Sequence, residues 1–355
     1  MSKPVRVLVA DDSPFTCRLL TMYLQTSSDL QVVGTAQDGA QAIKLARELQ
    51  PDLVTLDLTM PDMNGIEVLD IIMKECPVPV VVVSGVSRQA ADMTLQALNH
   101  GAVDFIFKYV PGVDTDPTAL REEIISKTRM ASQIKVVRTI HSYREMPQGE
   151  SQSPLKTPGP TGKAIQPFFQ GNVIVIGAST GGPVALRTLV CSLPEDFLDA
   201  VVIVQHMPPE FTRVFAAHLE QRARLKVQEA KTGDPVQSGQ VLIAPGGFHL
   251  LFNPDGRVEL NQGVEIAGHR PSIDVTMQSA AQVFGAHTRG IVLTGMGEDG
   301  SMGLLSIRSK GGKTFAQDEQ SSIVYGMPQR AINKGLADYV APPAEIARLL
   351  CSTSL

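Results

Sequence analysis

Two sets of residues in this 355-residue chain have the types and places that chemistry asks for. In the first, Asp11 and Asp12 follow "VRVLVA", Asp57 lies in "LVTLDL", Ser84 ends a run of valines and Lys108 ends "VDFIFK". In the second, Ser179 follows "NVIVIGA", His206 follows "AVVIVQ" and Asp299 lies in "IVLTGMGED". Each stands at or just past the end of a short β-branched run. Parallel sheets place their chemistry there, at the carboxyl ends of the strands.

The first set is acidic, with one hydroxyl and one amine. Carboxylates brought together repel one another unless a cation sits among them. Oxygen ligands with room for water and phosphate suit Mg²⁺. A carboxylate held there can accept a phosphoryl group as an acyl phosphate, whose oxygens Ser84 and Lys108 could bind. A single aspartate at a strand end is as readily a helix cap. The convergence of all these residues on one rim is what argues for a site.

The second set holds the parts of a Ser-His-Asp hydrolase. The imidazole would take the Ser179 proton, help worth roughly 10²–10⁴ in rate, and the carboxylate would fix the tautomer. Ser179 is also expected to open a helix through "TGGPVALRTL", whose dipole and free amides would stabilise an anion. Rivals stand beside this reading. Ser179 could be only a cap, and His249 in "PGGFHLLF" and His269 in "GHRPSID" compete with His206 as base. Spacing does not decide among the histidines, because a triad is defined by geometry. A phosphate-cradling turn is a second possibility, but "GASTGG" has neither G-x-G-x-x-G nor the G-K-[ST] ending of a P-loop. A regulated scaffold with inert residues is a third.

These residues need strands to hold them. In the first third, runs at 5–10, 30–36, 53–58, 78–85 and 103–108 alternate with amphipathic stretches such as "DGAQAIKLARELQP". That alternation predicts a parallel sheet covered on both faces, with a last helix from Asp116-Pro117 to about Lys135. The next stretch, rich in Pro, Gly, Ser and Gln, reads as a flexible linker. Alternation then resumes with runs at 172–179, 200–206, 241–246, 290–297 and 312–318, and ends in "ADYVAPP". Asn253-Pro254-Asp255-Gly256 marks a β-hairpin within it. The expected divisions are 4–135, 136–170 and 171–355, giving an α/β protein with two doubly wound parallel-sheet domains.

A net charge of −5 gives no basic footprint for nucleic acid. The four cysteines share no short spacing and read as reduced thiols. The longest apolar run, "VPVVVVSGV", is too short to cross a bilayer, and "MSKPVRVLVADD" carries no signal-peptide core. The expectation is a cytoplasmic protein without membrane insertion.

On these residues the first domain resembles a response-regulator receiver, of flavodoxin-like fold. The resemblance implies phosphorylation of Asp57 by a histidine kinase, and Mg²⁺ bound by Asp11, Asp12, Asp57 and the Thr59 carbonyl. It also implies Ser84, Phe105 and Lys108 as switch residues. Tyr109 stands where that family usually has proline. The second half resembles the catalytic domain of chemotaxis protein-glutamate methylesterases of the CheB type, a Rossmann-like esterase. The matching phrases are "IGASTGGP", "QHMPPEFT", "GHRPSIDV", "LTGMGEDG" and "QDEQSSIVYGMP". Here the resemblance implies a catalytic triad of Ser179, His206 and Asp299, with Met296 in the oxyanion region. The expected reaction is hydrolysis of glutamate γ-methyl esters on chemoreceptors with release of methanol, and deamidation of receptor glutamines as a related acyl transfer. It needs no cofactor for the ester chemistry, and an unphosphorylated receiver is expected to cover the active site.

Overall fold

The computed structural model describes residues 3–108, 117–134 and 171–352. The expected linker, Asp116 and Tyr109 lie outside the described residues. The first domain alternates β1 (Val5–Ala10), α1 (Pro14–Gln25), β2 (Leu30–Ala36), α2 (Gly39–Leu49), β3 (Leu53–Asp57), α3 (Gly65–Glu75), β4 (Val80–Ser84), α4 (Arg88–Asn99), β5 (Asp104–Phe107) and α5 (Pro117–Ala131). Its five strands are parallel in the order β2-β1-β3-β4-β5. Successive side chains of a strand point to opposite faces. Val7 and Val9 therefore pack with Leu20, Leu24, Leu120 and Ile124 of α1 and α5. Leu8 and Ala10 pack with α2, α3 and α4 on the other side. Ser13, Asp38, Asn64 and Ser87 cap their helices through side-chain oxygens, so the chain turns sharply after each strand. The last helix ends at Ala131, short of Lys135.

The second domain contains β6 (Val173–Ala178), α6 (Gly182–Cys191), β7 (Ala200–Gln205), α7 (Pro209–Glu220), β8 (Lys226–Glu229) and β9 (Gln240–Ile243). It continues through the hairpin β10 (His249–Phe252) and β11 (Val258–Asn261), then α8 (Ile273–Phe284) and β12 (Thr288–Val292). It closes with α9 (Ser301–Ser309), β13 (Lys313–Gln317), α10 (Met327–Asn333), β14 (Tyr339–Ala341) and α11 (Pro343–Cys351). Seven strands form a parallel sheet in the order β14-β13-β12-β6-β7-β9-β8. Strand β8, "KVQE", was not expected from the sequence: it sits at the sheet edge and buries fully only Val227.

Chain direction across this sheet reverses at β6. The chain runs from β6 to β7 through α6, against the face carrying Ile174 and Ile176. It runs from β12 to β13 through α9, against the face carrying Val173 and Val175. The loops after β6 and β12 therefore part to opposite sides and leave a crevice at their carboxyl ends. The expected hairpin is present, with Gly256 at φ 72° in its turn. On its outer edges, Phe252 N donates to Ser279 Oγ and Leu250 O accepts from Thr276 Oγ1, both on α8. On the opposite edge, Leu260 N donates to Thr232 Oγ1, and Val258 exchanges main-chain bonds with Gly233 and Asp234.

Candidate active site

Ser179 leaves the end of β6 with its main-chain N–H donating to Thr294 O at 3.1 Å across the crevice. Its carbonyl accepts from Gly182 N and from the Gln205 side chain. The helix that follows is capped by Gly181 at φ 75°, with no side-chain cap bond. Ser179 is thus not the cap of α6, and the positive φ at Gly181 is what lets the chain turn into the helix after a serine left outside it. Gly295 is required opposite: a Cβ there would come within 2.7 Å of Ser179 Cβ and 2.5 Å of Met327 Sδ.

His206 follows β7. The register pairs Ala178 with Gln205 on adjacent parallel strands, so Ser179 and His206 occupy the next positions along, about one strand separation apart. Nε2 of His206 lies 2.9 Å from Asp299 Oδ2. The carboxylate can only accept, so Nε2 carries a proton in this pair, and in the neutral ring the lone pair is then on Nδ1. Nδ1 is buried and makes no hydrogen bond among the described residues.

Asp299 is heavily bonded. Oδ2 also accepts from Ile273 N at 2.8 Å, and Oδ1 accepts from Ser272 Oγ, Asp274 N and Gly300 N. Burial works to raise its pKa. His206 and the amides at the N-terminus of α8 outweigh that and hold it down at about 2. The donors Ser272, Ile273 and Asp274 were not singled out as functional in the sequence. Their signal was the serine of "PSIDV" just before an apolar run, a helix start.

The other histidines separate cleanly. His249 is buried with both ring nitrogens bonded, to Val264 O at 2.9 Å and Ser272 N at 3.2 Å, so it is a structural residue. His269 stacks on His206, ring centroids 3.8 Å apart and planes 12° from parallel. Burial and the neighbouring His206 push its pKa down to about 4, so it lies over the His206 ring as a neutral ring. Met296 is partly exposed at the rim, and its main-chain N–H bonds no acceptor among the described residues.

In the first domain, carboxylate oxygens of Asp11, Asp12 and Asp57 lie within 4.8 Å of one another. Lys108 Nζ reaches Asp57 Oδ2 at 2.6 Å and Asp11 Oδ2 at 3.0 Å. Burial pushes the Asp57 carboxyl upward against the pull of Lys108. Thr59 gives Asp57 its main-chain N–H at 3.0 Å. Ser84 is turned away: its hydroxyl bonds the Gly85 and Ala90 carbonyls and accepts from Thr94 Oγ1 at 2.7 Å. The oxygens of buried Asp11 and Asp57, with exposed Asp12 beside them, form a donor set of the kind that suits a hard cation such as Mg²⁺.

Comparison with known proteins decides what these two sites belong to. Residues 7–116 match the response regulator receiver domain and residues 174–350 match the CheB methylesterase domain. A protein-glutamate methylesterase/protein-glutamine glutaminase of Pyrococcus horikoshii is 41% identical over 98% of this chain and 92% of its own length. The chain belongs to the CheB methylesterase family. A similarly named protein of Thermotoga maritima is 38% identical over 98% of this chain and 97% of its own. The crystal structure of the Thermotoga maritima CheB methylesterase catalytic domain matches with TM-score 0.50 and 41% identity, covering 51% of this chain and 97% of that one.

The receiver lies against the methylesterase domain on the side where Ser179 emerges. Thr180 Oγ1 donates to Asp104 Oδ2 at 2.7 Å, in a buried contact. Phe105 stacks on Phe211 of α7 with centroids 5.0 Å apart, and Phe107 meets the same ring edge-on at 4.9 Å. Ser126 of α5 reaches Met296 Sδ at 3.1 Å. Helix α4 adds Asn99 to Arg187, and Asp92 to His218 at 2.5 Å. Lys127 is held under this surface by Glu123, Asp104 and the Phe105 carbonyl. Among the described residues no helix is long and apolar enough to cross a membrane.

Proposed function

We propose that this protein is a phosphorylation-activated serine hydrolase that demethylates glutamate γ-methyl esters on chemoreceptors. The observation that carries this reading is the His206 ring, with Nε2 committed to Asp299 and a buried Nδ1 that is unbonded among the described residues. Ser179 Oγ attacks the ester carbonyl while Nδ1 of His206 takes its proton. The tetrahedral intermediate collapses, and methanol leaves with the proton from His206. Water, deprotonated by the same nitrogen, then attacks the acyl-enzyme and frees the glutamate carboxylate and Ser179. The main-chain N–H of Met296, which bonds no acceptor among the described residues, is assigned to the oxyanion. The carboxamide of a receptor glutamine follows the same route with ammonia as leaving group, in keeping with the glutaminase in the relatives' names.

Control lies in the receiver. Asp57 accepts the phosphoryl group from a chemotaxis histidine kinase, and Lys108 binds it. Asp11, Asp12 and Asp57, with the Thr59 carbonyl, would hold Mg²⁺, which supplies charge neutralisation for that transfer when bound. The added charge of roughly −1.5 to −2 at Asp57 draws Ser84 off α4 and reorders β5. Phe105 and Asp104 then lose their partners on the methylesterase domain. The substrate's location on receptor cytoplasmic helices places the protein in the cytoplasm, working without inserting in the membrane. Methanol release from methylated receptor membranes tests the reading. The phosphorylated chain should release it, and Ser179→Ala should not; equal release by the variant would refute it.

A further inference from the structure

Helices α8 and α9 cross with their N-termini together, and each is served by an aspartate belonging to the other. Asp299, just before α9, accepts from Ile273 N and Asp274 N in the first turn of α8. Asp274, in that turn, accepts from Gly303 N in the first turn of α9 at 2.7 Å. The residue that precedes α9, Gly300, offers no side-chain cap of its own. Helix N-termini leave main-chain donors without partners, and here the two helices answer each other's need.

The exchange has a consequence for the reacting groups. Asp299 is joined to α9 through Gly300 alone, which has φ 97°, a conformation that glycine adopts readily and other residues rarely do. Fixing α9 against α8 through Asp274 therefore fixes the carboxylate that His206 needs. We propose that Asp274 is a positioning residue for ester hydrolysis, holding Asp299 where it keeps the His206 proton on Nε2. This rests on Ser179, His206 and Asp299 being the reacting set. Asp274 reaches no substrate atom in this scheme; it acts through Asp299.

The test uses the full chain phosphorylated with acetyl phosphate, assayed on methylated receptor membranes, beside Ser179→Ala. Asp274→Ala should lower kcat on the order of 10- to 100-fold, the scale of a small misplacement of a catalytic group, with KM within about twofold. Its imidazole ¹⁵N resonances should shift from one tautomer to a mixture. Asp274→Asn keeps an oxygen for Gly303 N and should restore kcat to within about threefold of the parent. Leu304→Ala loosens the same crossing without touching a carboxylate, and should leave the tautomer unchanged. If Asp274→Ala keeps its kcat while Ser179→Ala is inactive, the positioning role is wrong. An equal kcat loss in Leu304→Ala at matched melting temperature also overturns it. Activity in Ser179→Ala would remove the reading beneath it as well.

Discussion

The Thr180 hydroxyl donates to Asp104 Oδ2 at 2.7 Å, joining the residue after the proposed nucleophile to the edge strand of the receiver. The contact is buried, and Asp104 has Lys127 within 3.8 Å to balance its charge. A hydrogen bond to a charged group contributes about 1.5–3 kcal/mol. Its loss should shift the balance between covered and uncovered sites by roughly tenfold or more. Asp104→Ala is therefore expected to raise methanol release by the unphosphorylated chain while changing the phosphorylated rate little. Unchanged basal release would show that this contact does not hold the domains together.

The stack of Phe105 and Phe107 on Phe211 is the apolar counterpart of that bond. Aromatic pairs contribute about 0.5–1.5 kcal/mol beyond their buried area. Phe105→Leu should raise basal activity several-fold, and should do so less when Asp104 is already alanine if the two act on one interface. The double-mutant comparison reads that coupling directly.

The assignment of Nε2 to Asp299 makes Asp299→Asn informative. The amide can turn its NH₂ toward Nε2, forcing the proton to Nδ1 and leaving Ser179 without a base. The expected loss in kcat is on the order of 10³- to 10⁴-fold, with the fold kept. Fluorophosphonate labelling of Ser179 should slow in parallel. Rapid labelling in this variant would mean that another group activates the serine.

In the receiver, the Lys108 ammonium stays charged despite its burial, because Asp57 and Asp11 face it. Asp57→Asn should abolish stimulation by acetyl phosphate and leave basal release unchanged. Removal of Mg²⁺ with a chelator should have the same effect on the parent chain. Stimulation that survives either treatment would place the phosphoryl group elsewhere.

Two neighbouring carboxyls should give the methylesterase domain opposing pH dependences. Burial pushes Asp274 up to about 6 from 3.8. Its contribution is full below pH 3.8 and is lost as pH rises through about 6, because the folded state binds that proton more tightly. Asp299, held at about 2, contributes above pH 3.8 and loses this as pH falls toward 2. Asp274→Asn should therefore raise the urea midpoint at pH 7.5 relative to the parent, with a smaller gain at pH 4.5. An equal effect at both would show that the ionised carboxylate carries no cost.

Much of this arrangement is legible in the sequence because strand ends are. The runs closing at Asp57, Ser84, Ser179 and His206 are β-branched and bounded by glycine, proline or polar residues, so their ends fall within a residue or two of those observed. Which histidine pairs with Asp299 was not legible in spacing; only the resemblance to the CheB type pointed to His206. His206, His249 and His269 differ only in what surrounds them, and it takes the fold to bond both nitrogens of His249 and leave one of His206 unbonded among the described residues. The grip of α8 on Asp299, and the Asp104–Thr180 contact across 76 residues, are likewise long-range. Nothing local in "PSIDV" or "VDFIF" names the distant partner. Strand β8 escaped because an edge strand with one buried side chain has no periodicity to read.

The hairpin β10–β11 has both outer edges taken, by hydroxyls of α8 on one side and by Thr232 to Asp234 on the other. An isolated two-stranded ribbon is barely stable in water, and its open rims invite strands from other molecules. Here the rims are bonded by groups that are not strands, so the ribbon offers a neighbouring chain little to template on. The protein can thus hold a β-ribbon close to Asp299, through Ser272, without the self-association that an open one would bring.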